Sequence, residues 1–145
     1  MGICAEKRKG IIFADLTAEY LMLVAELHLL GIECECESAL VQYFKKRNIF
    51  YRMDDRETPM VDVMLVTFYP SDPIKIGVQN IVYALRVLGC SRESEAMQAG
   101  YEVLNRHRLD NGRYLLTASK SVPAFKAGKV GEENKWITLY AYMAQ

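Results

Sequence analysis

Apolar side chains return every three or four positions between residues 16 and 30. Leu16, Tyr20, Leu21, Leu23, Val24, Leu27 and Leu30 keep this spacing, which predicts a helix with Asp15 as its N-cap and Gly31 as its stop. A second helix is predicted from Glu37 to Arg47, with Leu40, Val41, Tyr43 and Phe44 on its apolar side. Lys45, Lys46 and Arg47 then fall in its last turn, where cations complement unpaired carbonyls. Pro59 suits the first turn of a short helix reaching about Phe68, and Pro70, Asp72 and Pro73 break the chain after it. From near Ile74, the residues Ile76, Val78, Ile81, Val82, Leu85 and Leu88 form one broad face that ends at Gly89. Ser91 is placed to cap a following helix that carries Met97, Tyr101 and Leu104 inward. Asp110, Asn111 and Gly112 predict a turn. The stretch from Thr117 to Asn134 is long for a loop and reads either as a mobile flap or as a packed irregular wrap. A last helix, from about Asn134 to Met143, contains Trp136.

These elements repeat. Leu27 to Tyr43 overlays on Leu85 to Tyr101 at an offset of 58, with Leu27/Leu85, Leu30/Leu88, Gly31/Gly89, Glu35/Glu93, Glu37/Glu95 and Tyr43/Tyr101 identical. Unrelated segments of that length would share about one residue by composition. Each copy reads as an apolar helix, a Leu-Gly stop, a short acidic link and a second helix. Such a hairpin cannot bury its apolar face alone, so the copies should stack. The first copy covers about 14–58 and the second about 74–116 of a single domain. Tyr140 and Ala141 repeat Tyr83 and Ala84 at an offset of 57, so 134–145 reads as a half repeat. The final inner helix then lacks an outer partner, which a second copy in a homodimer or the remainder of a longer polypeptide would supply.

Composition narrows the class. Among the 145 residues 51% are hydrophobic and 25% charged, the profile of a globular domain that buries a core without metal or disulfide staples. Apolar runs such as Leu21 to Ala25 are far short of a membrane span, and no secretory signal precedes them, so the reading places the chain in the cytoplasm. Formal net charge is zero, but residues 1–105 carry 11 basic and 15 acidic side chains against 7 and 3 in residues 106–145. A basic C-terminal third suits either a solvated surface or an acidic or phosphorylated ligand; without aromatic interleaving or a phosphate loop it makes no nucleic-acid case. Cys4, Cys34, Cys36 and Cys90 read as reduced thiols. Cys34 and Cys36 with His28 or His107 are the one alternative metal set, and their spacing specifies no metal. His28 reads as a helix-terminus side chain, and the cations beside His107, Arg106 and Arg108, oppose its protonation.

Arg108-Leu109-Asp110-Asn111-Gly112-Arg113-Tyr114 resembles a degenerate Gln-x-x-x-Gly-x-Trp element of the terpenoid cyclase and protein prenyltransferase superfamily. The glycine matches, Tyr114 replaces the tryptophan and Arg108 the glutamine. Lys135-Trp136-Ile137-Thr138-Leu139-Tyr140-Ala141 likewise resembles the Trp-x-x-x-x-Ala start of that family's next inner helix. The resemblance spans roughly residues 14–145 and implies an all-α fold of stacked helical hairpins forming a partial α/α toroid. The family's chemistry is not matched. Met53-Asp54-Asp55-Arg56 lacks the first aspartate of the cyclases' Asp-x-Asp-Asp acid, Asp54-Asp55-Arg56-Glu57 is not their magnesium site, and the Asp-x-Cys zinc set has no counterpart.

Two functions follow as expectations, and neither implies a cofactor or a resident metal. In the first, the chain is a non-catalytic helical-repeat module. It binds a partner protein or an apolar ligand in a concavity lined by Tyr20, Tyr83, Trp136 and Tyr140, although aromatic residues at helical spacing more often fill cores. In the second, it is an enzyme or enzyme fragment acting on an isoprenoid, with Arg106, Arg108 and Arg113 as fork-shaped donors to a diphosphate.

Overall fold

The structure, a computed structural model, describes residues 11–49, 51, 53, 77–116 and 128–145. Within these residues the chain is all α. Its helices are α1 (Ile11–Leu29), α2 (Glu37–Lys45), α3 (Val78–Val87), α4 (Glu95–Arg106) and α5 (Lys135–Ala144). The expected helix from Pro59 to Phe68, the acidic cluster at Asp54 and Asp55, and residues 117–127 of the long loop lie outside the described residues.

α1 packs against α2 and α3 against α4, which gives two hairpins. α3 also packs on both α1 and α5, and α2 packs on α4. One layer therefore holds α1, α3 and α5 side by side, and a second holds α2 and α4. Because three helices surround α3, its buried residues are not confined to one stripe. Val78, Gln79, Ile81, Val82, Ala84 and Leu85 are all buried, and only Arg86 is exposed. Each of its large apolar side chains contributes on the order of 1.5–3 kcal/mol by leaving water. Ala18, Leu21 and Ala25 from α1, Met97 and Leu104 from α4, and Ile137, Ala141 and Ala144 from α5 complete the core.

Both hairpins close their first helix in the same way. Ile32 N donates to Leu27 O at 3.0 Å and Gly31 N to His28 O at 2.9 Å; Cys90 N donates to Leu85 O at 2.9 Å and Gly89 N to Arg86 O at 3.0 Å. This is the Schellman arrangement, and it requires a left-handed residue just past the helix. Gly31 and Gly89 supply it at φ +76° and +79°. The identical Leu-Gly pairs of the repeat thus encode one stop twice.

Some boundaries differ from the expectation. α1 begins at Ile11, so Asp15 lies inside the helix instead of capping it. The N-cap of α4 is Ser94, not Ser91; Ser91 Oγ instead pairs with the Glu93 carboxylate and accepts from Glu93 N at 3.2 Å. α2 ends at Lys45, which leaves Arg47 to fold back over the last turn. There Arg47 Nη1 donates to Tyr43 O at 3.2 Å, and its guanidinium lies 3.8 Å from the centre of the Tyr43 ring.

The two hairpins lock at Gly100. Ile49, fully buried although its φ is +73°, reaches from the end of the first hairpin to this glycine. A Cβ at position 100 would stand 2.4 Å from Val82 Cγ2 and 2.8 Å from Ile49 Cδ1. Neither side chain has free space to yield, since both are fully buried. Gly100→Val is therefore expected to lower the unfolding free energy by about 3 kcal/mol, the upper end of the usual cost of overpacking. Urea denaturation checks this, and an unchanged midpoint would contradict the close approach.

Candidate functional site

The candidate site is a pair of apolar faces at the two ends of the α1–α3–α5 layer. On α1, Tyr20, Leu23 and Leu27 share one side, at spacings of three and four. Ala18, Leu21 and Ala25 are buried on another. Tyr20 is 52% exposed and Leu23 54%, and Leu30 and Ile32 beyond the helix end are exposed as well. On α5, Trp136, Leu139 and Met143 lie opposite Ile137, Ala141 and Ala144 and are 38%, 48% and 41% exposed. A helix that is apolar on both sides ordinarily has neighbours on both sides. Among the described helices, α1 and α5 each have one inner-layer neighbour, α3.

A set of hydrogen bonds fixes the direction of the α5 face. Asn134 caps the helix, its Oδ1 accepting from Trp136 N at 2.9 Å and Ile137 N at 3.1 Å. The turn after α4 folds back through antiparallel bridges, Arg108 with Tyr114 and Leu115 with Glu133. Tyr114 is fully buried at this junction: its N–H donates to Thr138 Oγ1 at 3.0 Å, and Gln145 Nε2 donates to its hydroxyl at 2.6 Å. Tyr142 packs edge-on against the Tyr114 ring and donates its hydroxyl to Gly112 O at 3.0 Å. The segment that resembles the cyclase repeat element is thus a clasp joining the end of α4 to the whole length of α5.

The expected site residues separate into groups. Tyr20 belongs to the α1 face and Trp136 to the α5 face, whereas Tyr83 and Tyr140 are half-buried at equivalent positions on the neighbouring helices α3 and α5. Arg106 is exposed and paired with Glu102 at 3.0 Å, one helical turn away. Arg113 pairs with Glu133, whose carboxylate also accepts from Asn111 Nδ2 at 3.0 Å. The Asn111 hydrogen bond, followed by Arg113, holds the Glu133 carboxyl below its ordinary value. Two of the three guanidinium forks are thus turned toward carboxylates, and Arg108 is exposed beside the turn. Cys34, Cys36 and Cys90 are free thiols, and burial pushes the Cys90 thiol up against an opposing effect of Lys45. His28 Nδ1 lies 3.2 Å from Glu37 Oε2, linking the end of α1 to the start of α2. Among the described residues no three His, Cys, Asp or Glu side chains converge as a metal set, and no helix is long and apolar enough to cross a membrane.

No protein-family model, curated protein or solved structure matches this chain.

One polar residue has no counterpart in the expectation. Gln79, in the first turn of α3, is 1% exposed, and among the described residues neither its Oε1 nor its Nε2 has a hydrogen-bond partner. Leu21 holds the equivalent position of the first copy. A buried amide without partners costs about 1–3 kcal/mol, so Gln79→Leu should raise the unfolding free energy by that order. A lowered stability in urea would show that the amide has a partner after all.

His107 supplies a pH test. Burial, reinforced by Arg106, pushes its imidazole below the ordinary value of 6.5. The unfolded chain then binds the proton more readily. The resulting stability is complete above the unfolded value and is lost as pH falls through it toward the folded one. Between about pH 7.5 and about pH 5.5 the urea midpoint should fall, and it should fall less in His107→Gln. Equal slopes in the two proteins would contradict the assignment.

Proposed function

We propose that this chain is a helical-repeat module that binds a partner protein through the apolar outer faces of α1 and α5. The observation that carries the reading is the exposure of Tyr20, Leu23, Trp136, Leu139 and Met143 on helices whose opposite sides are already buried. Large apolar side chains gathered on one side of a helix support an interaction site, whereas singly scattered apolar residues do not. The aromatic, leucine and methionine content of the two faces also suits the centre of a protein interface.

On this reading the resemblance to the α/α toroid superfamily concerns hairpin architecture, and curvature of the layers into part of a ring belongs to the proposal. The Arg108–Tyr114 element serves to hold α5 in place. The ion pairs of Arg106 and Arg113 support that structural role more than a diphosphate site.

A photo-crosslinking side chain placed at Leu23 or Leu139 tests the reading in cells that express the full chain. Discrete protein adducts are expected from these two positions and not from the exposed outer-layer positions Gln42 and Asn105. Equal adducts from all four, or none from any, would overturn it.

A further inference from the structure

The repeat shows what kind of surface covers an inner-layer face. At the offset of 58, Tyr20, Leu23, Leu27 and Leu30 of the first copy correspond to Val78, Ile81, Leu85 and Leu88 of the second. In α3 the first three of these are buried, at 1%, 0% and 0% exposure, and Leu88 is packed against the core. The α1 face is thus the same face, one repeat earlier, without an inner-layer neighbour among the described helices. α5 presents the complementary case at the other end of the layer. It is an inner helix packed on α3, and its far side carries Trp136, Leu139 and Met143. Within one molecule, inner helices already satisfy each other in this manner twice, α1 with α3 and α3 with α5.

Charge distinguishes the two ends. Residues 11–44 contain six carboxylates and no lysine or arginine, and Glu19 and Glu26 lie one turn to either side of Leu23 on α1. At the other end Lys135 lies one turn from Leu139, with its ammonium 5.2 Å from the centre of the Trp136 ring. An α1 face meeting a second α1 face would bring like charges together. An α5 face meeting an α1 face brings Lys135 toward carboxylates.

We infer that the occupant of these faces is a second copy of this chain, docked head to tail, with α5 of one molecule stacked on α1 of the next as a further inner-layer contact. The inference rests on the reading of these faces as binding surfaces and names their partner. The contact is heterologous, so an open assembly retains one free α1 face at one end and one free α5 face at the other until it closes or extends.

Two exposed-face variants of the full chain test this by light scattering, with sedimentation velocity over a concentration series up to about 100 µM, where even weak contacts populate. The unmodified protein should exceed the chain mass of 16.6 kDa, increasingly so with concentration. Leu23→Glu spoils only the α1 face and Leu139→Glu only the α5 face, so each alone should remain at 16.6 kDa. Mixed in equal amounts, they retain one matched pair of faces and should form a complex of two copies and nothing larger. Helix content and thermal midpoint serve as the folding control, and Leu23→Ser and Leu139→Ser replace the charged variants if helix content falls. Self-association of either variant alone would show an isologous contact and overturn the inference, as would a mixture that stays monomeric. An unmodified protein that is monomeric throughout would overturn it too. The broader reading would then stand or fall separately on whether crosslinks from Leu23 and Leu139 lead to a different protein.

Discussion

Burial of α3 from nearly every direction is the constraint on which the rest of this structure depends. A helix with Val78, Ile81, Val82, Ala84 and Leu85 spread around its circumference cannot be covered by one neighbour, and here α1, α4 and α5 share the task. Two layers follow from that requirement. The outer helices close one side, the flanking inner helices close two more, and Gly100 lets α4 approach closely enough for Ile49 and Val82 to meet across the seam. The left-handed backbone of Ile49 is held by that burial, since a β-branched residue gains nothing locally from such a conformation.

The arrangement that satisfies α3 leaves its neighbours unsatisfied. α1 and α5 are built like α3, apolar on more than one side, yet each is covered by only one inner helix among the described residues. Packing thereby connects to function without any catalytic motif: the surfaces left at the layer's ends are the ones with the chemistry of its interior. The clasp around Tyr114 serves the same end, because the bonds from Thr138, Gln145 and Tyr142 fix the rotation of α5 and so the direction of Trp136 and Leu139.

Where a structural feature is written into short-range pattern, the sequence was legible. Leu27-His28-Leu29-Leu30-Gly31 and Leu85-Arg86-Val87-Leu88-Gly89 announce the same helix stop, and the hydrogen bonds repeat it atom for atom. Helical periodicity likewise located all the helices seen here and the all-α class. Less was legible where tertiary approach decides. Asp15 is of a residue type that caps helices, while the backbone continues as helix back to Ile11. The bridge between Leu115 and Glu133 joins segments that no local signal connects. Gln79 is a residue type of the surface, and it is buried because α3 is covered on that side at its first turn. The opposed apolar faces of α1 were visible as spacing, but spacing alone could not say which face finds a neighbour.

Native-state hydrogen exchange of the full chain tests the central placement of α3 most directly. If α3 is held between α1, α4 and α5, its amides from Val82 to Leu85 should exchange only through global unfolding, with a free energy equal to that from urea, while amides of α1 and α5 open at lower cost. Faster exchange in α3 than in α1 or α5 would contradict the account, because a helix held among three neighbours cannot be the first to open.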